Sequence, residues 1–338
     1  MCSGGKNRWR QQRHSLLLQD LEDLCESEEL SVDALRGKIA RIERGGGIES
    51  STFFHLACLN KKVSPEIIDC LLDAFPRAAC QGTRRFAASD AIGETIAYPL
   101  HLACHNEDCP SSVIKLLLEK NAAAIRHLCI IEKGIDLWGS VWAVGLPLHY
   151  YLLRESNIDF DTIKMLVEAH SEALATSDYA MGGSSGLTPV HILLTNYYID
   201  AKTLGRTLEF FIKTAPASIY MATGYDETPL HLACSNPNAT SSLIQMLTEL
   251  WPESITQPDT LGRLPLHNLS YNAQLDDAPS MEILELLIEG SASQTLLLGD
   301  SEGYLPIHLA VECKFLEFCK RLVDANPESV RTQDISGR

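Results

Sequence analysis

An all-α array of stacked helix pairs is the fold this sequence predicts, and three observations predict it. A histidine recurs at His55, His101, His149, His191, His231, His267 and His308, separated by 46, 48, 42, 40, 36 and 41 residues. In six of these places a proline stands two positions before the histidine, with an apolar residue between them. After each histidine comes an amphipathic run whose apolar residues are spaced by one, three and four, as on one buried helical face. Self-similarity at such a period marks a repeat protein, in which each unit buries its apolar face against its neighbours.

The elements follow in a fixed order. A turn opens the unit, clearest at Asp259 to His267 and at Asp300 to His308. There an Asp is followed three residues later by Gly, because Asp bonds its own backbone and Gly accepts a positive φ. Proline is tolerated at the first helical position, so the first helix is predicted to start at Pro99, Pro147, Pro189, Pro229, Pro265 and Pro306. Thr188 and Thr228, just before two of these prolines, are expected to act as N-caps. This helix is short and rich in small or apolar residues, as in Pro99 to Cys104 and Pro229 to Cys234, which lets neighbouring helices approach closely.

After a polar break comes the second helix, read from Ile67 to Leu72, Val113 to Leu118, Ile163 to Val167, Leu208 to Ile212, Ile244 to Leu247, Ile283 to Ile288 and Leu322 to Val323. Pro76, Pro216, Pro252 and Pro327 stop four of these runs. In the unit of His191 a long polar stretch before Leu208 is read as an insertion between the two helices.

Turn, Pro-apolar-His and closing apolar run together resemble the ankyrin repeat, over roughly residues 45–333 and about seven units. The resemblance implies an α-solenoid of stacked helix-turn-helix repeats with extended finger loops, whose fingers and inner helices line a concave protein-binding face. It also implies a framework role for the motif histidines, each hydrogen-bonded within the turn and helix. The spacing of 36 to 48 residues exceeds the ankyrin period of about 33, so insertions are expected in the fingers. Phe53 replaces the proline of the first unit.

Both ends depart from the repeat. Residues 1–14 carry Lys6, Arg8, Arg10 and Arg13 and no acid, and are read as a disordered basic tail. Residues 15–44 read as two short helices, Leu16 to Leu24 and Val32 to Ile42, forming a cap or a degenerate repeat. Residues 334–338 repeat the opening of the Asp259 turn, as though an incomplete eighth repeat began there and the chain were a fragment.

Composition narrows the function. With 28 basic and 44 acidic residues the net charge is -16, a balance that disfavours nucleic acid and anionic lipid and favours a protein partner with a basic face. Eleven cysteines without a CxxC pair argue against a secreted disulfide framework and for the cytoplasm or nucleus. The uncharged window Leu137 to Leu153 approaches membrane-span length, but its glycines, Pro147 and His149 favour a loop followed by a repeat helix.

Catalytic or metal chemistry would need particular residues to converge. The His-x-x-Cys pairs (His55 and Cys58, His101 and Cys104, His231 and Cys234) put two zinc-capable groups on one helical face, but four would have to converge across separate repeats. Ser184 and Ser185 lie in a glycine-rich finger that is not a nucleophile elbow. No catalytic residue, cofactor or metal is therefore expected, and the chain is read as a monomeric interaction scaffold rather than an enzyme. The alternative is the target-recruiting region of a larger signalling enzyme or ubiquitin-ligase-type protein.

Partner-binding residues are sought among large side chains in fingers, where turns do not require them. These are Arg84, Arg85 and Phe86; Trp138 and Trp142; Tyr179 and Met181; and Tyr225. Tyr150 and Tyr151, where other units have small or aliphatic residues, read as core tyrosines with satisfied hydroxyls.

Overall fold

The structure is a computed structural model that describes residues 3–42, 52–83, 96–136, 139–177, 186–291, 293–333 and 337. At 3–14, 130–136, 139–144 and 293–294 it describes the backbone alone. The chain divides into two compact units, Met1–Ala173 and Leu174–Arg338.

The first unit holds α1 (Ser3–Glu26), α2 (Val32–Ile42), α3 (Thr52–Leu59), α4 (Pro65–Ala74), α5 (Pro99–His105), α6 (Ser111–Lys120), α7 (Pro147–Leu152) and α8 (Phe160–Ala169). The odd-numbered helices α1, α3, α5 and α7 pack in succession, as do the even-numbered α2, α4, α6 and α8, giving two helical layers. The second unit repeats this with α9 (Pro189–Thr195), α10 (Ala201–Thr214), α11 (Pro229–Ser235), α12 (Ser241–Leu250), α13 (Pro265–Tyr271), α14 (Asp277–Glu289), α15 (Pro306–Cys313) and α16 (Leu316–Ala325). No helix among the described residues is long and apolar enough to cross a membrane.

Helix starts follow backbone sterics. Six first helices begin at their proline, and α3, with Phe53 in the proline position, begins one residue earlier at Thr52. The second helices are capped by side chains that satisfy an otherwise unpaired N–H: Ser64 accepts from Ile67, Asp159 from Thr162, and Thr240 from Leu243. Thr188 and Thr228 differ from expectation. They hold the N-cap positions, but their hydroxyls reach the histidine ring at 3.1 and 2.9 Å instead of a helix N–H.

The core is the apolar stripe of each second helix against the small first helices. On α6, Val113, Ile114 and Leu117 are buried, each contributing about 2 kcal/mol on removal from water. Tyr150 and Tyr151 are buried too, with hydroxyls donating to the Cys129 carbonyl at 2.5 Å and to the Asp159 carboxylate at 2.8 Å.

Several expectations are corrected. The basic stretch read as a disordered tail is helical from Ser3 and continuous with α1. The α1–α2 pair stands where a preceding repeat would, because the Cys25 carbonyl accepts from Asn60 as the Cys58 carbonyl accepts from Asn106. No long insertion separates α9 from α10. The connector runs 196–200, as short as 106–110 and 236–240, and Asp200 starts α10 early by accepting from the Lys202 and Thr203 N–H groups. Each proline expected to end a second helix instead opens a 3-10 turn (Pro216–Tyr220, Pro252–Thr256, Pro327–Arg331), or stands just before one at Ala78–Cys80.

Among the described residues the helices are joined by one strand pair. Strands β1 (Cys129–Asp136) and β2 (Gly139–Gly145) form an antiparallel hairpin with an irregularity between Glu132 and Gly134. The described part of the uncharged window, from Gly139, thus divides into a strand and then α7.

Candidate functional site

The geometry of the repeat histidines decides whether they can do chemistry. Nδ1 of His101, His149, His191, His231, His267 and His308 accepts the backbone N–H of the residue three before it, at 3.0 to 3.3 Å. Nε2 faces a carbonyl in the following turn: Ala97 for His55, His127 for His101, Met221 for His191, Arg263 for His231, Tyr304 for His267 and Thr332 for His308. A carbonyl can only accept, so Nε2 carries the proton and the ring is neutral. Burial pushes His101 and His267 down to about 4 and lowers His191 and His231 as well. Rings bonded at both nitrogens offer no lone pair to a metal or a nucleophile. The nearby thiols of Cys58, Cys104 and Cys234 are pushed well up by burial.

A second ladder runs beside the histidines. Five residues after the histidine, Asn60, Asn106, Asn196, Asn236 and Asn272 accept the N–H two residues on. Asn60 donates back to the carbonyl of Cys25 in the preceding helix pair, Asn106 to Cys58, Asn236 to Leu194 and Asn272 to Cys234. These side chains hold each connector against the previous one. The sequence signal, an Asn at His+5, was open to reading and missed, since Asn there looks like an ordinary helix break.

With this frame in place, surface remains. In the second unit, two successive turns, the connectors after α9 and α13, and the helices α11, α13 and α15 line an open groove of about 710 Å³. Its walls include Tyr197, Tyr225, Leu261 and Tyr271, which are 47, 50, 49 and 63% exposed. Glu227, Asp259, Arg263 and His267 supply its polar lining.

Local structure places each group. The Asn196 carboxamide accepts the Tyr198 N–H and Asn238 donates to the Tyr197 carbonyl at 2.8 Å, fixing the connector that carries Tyr197. Tyr225 lies in a turn closed by Thr223, whose hydroxyl accepts the N–H groups of Tyr225 and Glu227 at 3.2 Å. The next turn is closed by Asp259, which accepts from Leu261 and Arg263 at 2.8 Å. The turns are laced together: Thr260 N–H donates to Tyr225 at 2.9 Å, and Ser301 N–H to Leu261 at 2.7 Å. Tyr271 is the last residue of α13.

The charges are unevenly met. Arg263 lies 3.4 Å from Asp300, whose other oxygen closes its own turn by accepting from Glu302 and Tyr304. Glu227 is half-buried and meets the Thr223 hydroxyl at 3.4 Å, and burial followed by the charge of Asp259 raises its pKa. Tyr197 is also raised, first by burial and then by the charge of Glu227.

Of the residues sought from sequence, Tyr225 is in the groove. Arg84, Arg85, Phe86, Trp138, Tyr179 and Met181 lie outside the described residues. Trp142 is on β2 opposite Glu132, and its side chain too lies outside them. Sequence reasoning missed Tyr197, Leu261 and Tyr271. Leu261 is a bulky residue at a finger tip, while the tyrosines sit in a connector and at a helix end, positions that a finger-based criterion does not cover.

No family model matches the sequence, and no curated protein matches it.

Proposed function

We propose that the chain is a non-catalytic protein-interaction module, an α-solenoid of ankyrin-like repeats that holds a protein partner in the groove over residues 197–313. The observation that carries this is the set of half-exposed Tyr197, Tyr225 and Tyr271 around one concavity built on a hydrogen-bonded frame. Tyrosine is enriched among residues that dominate binding, because it brings large contact area at low conformational cost. Turns laced to one another keep the surface formed before a partner arrives, which lowers the ordering cost of binding. Histidines bonded at both ring nitrogens support a framework role for the motif. Free thiols at the described cysteines fit a reducing compartment, the cytoplasm or nucleus.

The test is site-specific photocrosslinking in cells. A crosslinking residue at Tyr225 or Tyr271 should trap a discrete protein, and the same residue at exposed Val330, outside the groove, should not. Equal trapping at all three positions, or none in the groove, would sink the reading.

A further inference from the structure

The groove's chemistry restricts what can fill it. Over residues 174–338 there are 20 acidic and 9 basic residues, so the unit that carries the groove has a net charge of -11. Arg263, the cation of the groove lining, lies 3.4 Å from Asp300 and also acts on Glu227, and the lining carboxylates Glu227 and Asp259 outnumber it. An acidic segment would be repelled from it. A purely apolar segment would strip water from Glu227, which has the long 3.4 Å contact with Thr223 and a share of the Arg263 charge to compensate it, and burying a carboxylate whose cation is shared is unfavourable. An occupant that brings its own cation removes that cost. The surrounding tyrosines are suited to the same group, since an ammonium or guanidinium is attracted to a ring face and its aliphatic stem packs on the ring.

We propose that the groove is a receptor for a lysine or arginine side chain in an exposed segment of a protein partner, the cation meeting Glu227 and the stem lying among Tyr197, Tyr225 and Tyr271. This deepens the proposed function and rests on it.

The experiment probes an array of random peptides with the full chain. Bound peptides should be enriched in lysine or arginine flanked by apolar residues. In the best lysine peptide, exchanging the lysine for norleucine should weaken binding by about tenfold or more, the range of a desolvated charge contact. On Glu227→Gln, which keeps the shape of the side chain, the two peptides should bind alike, with the urea midpoint of the variant unchanged as the control for folding. If Glu227→Gln unfolds the turn, the norleucine exchange on the unaltered chain decides alone. Norleucine and lysine peptides binding equally, enrichment without basic residues, or no peptide bound would each overturn the proposal. Peptides without a basic preference that are nevertheless lost on Tyr271→Ala would leave the groove as a docking surface and remove only its cation specificity. Binding untouched by Tyr225→Ala and Tyr271→Ala would remove the groove itself.

Discussion

The guanidinium of Arg154 donates from Nε to the carbonyl of Cys104 at 2.8 Å, the bond that Asn106 makes to Cys58 and Asn236 to Leu194 in other repeats. Arg154 is the His+5 residue of its own unit, 2% exposed, and its Nη2 also reaches Ala103 at 2.6 Å. The guanidinium lies over the Tyr151 ring at 4.4 Å, so the two unusual residues of this repeat accompany each other. Arg154→Ala should cost about 2–4 kcal/mol, from buried carbonyls left without donors and a cavity. Arg154→Asn should lose less, since asparagine serves this place elsewhere. Urea denaturation of the variants checks both, and equal losses would show that volume rather than hydrogen bonding decides.

Acid should destabilise the fold through its histidines. An unfolded histidine titrates near 6.5, whereas His101 and His267 are held at about 4. Between those values the unfolded chain binds more protons than the folded one, so stability is complete above pH 6.5 and is lost as pH falls towards 4. Each of the two contributes about 3 kcal/mol over that window. The urea midpoint should therefore drop steeply from pH 7 to pH 5. His267→Gln should flatten part of that slope; an unaltered slope would mean that the titration lies elsewhere.

Much of the helical frame was legible because it follows from local constraint. Proline fixes where six first helices begin, and apolar spacing marks α4, α6, α8, α12 and α16. What was not legible is relational. The Asn ladder means something only when the carbonyl it meets, 35 to 48 residues earlier, is brought beside it. The hairpin was hidden because glycines at 134, 139 and 145 break its alternation. The groove's tyrosines come from connector, turn and helix end, positions that no single-repeat pattern groups together.

The turn that carries Tyr225 is built from substitutes, and this has a measurable cost. Thr223 does the work of Asp259 and Asp300, and Asp226 occupies the positive-φ place (φ 60°) that Gly262 and Gly303 fill at 74 and 76°. An L-residue pays about 1 kcal/mol to sit there. Asp226→Gly should accordingly raise stability by up to about 1 kcal/mol, while Gly262→Ala should lower it by about the same or more. The Ala Cβ would also stand 3.3 Å from the Ser301 nitrogen, beside the bond that laces two turns. Thermal melts of the two variants should shift in opposite directions; a loss on Asp226→Gly would show that the Asp226 side chain contributes more than its backbone strain costs.

Cysteine reactivity should report the layering of the core. Cys80 is exposed, whereas Cys58, Cys104 and Cys234 are fully buried between first helices, and burial pushes their thiols far above neutrality. Cys109, raised to about 12, is only slightly less enclosed. Alkylation proceeds through the thiolate and needs access, so both terms act in one direction. Iodoacetamide in native buffer, followed by peptide mass spectrometry, should modify Cys80 first and leave the other four intact until denaturant is added. Protection should then be lost together within each compact unit, because a thiol between two first helices is uncovered only when those helices part. Early labelling of Cys104 at neutral pH would mean that α5 and α7 open locally at a free energy well below that of global unfolding.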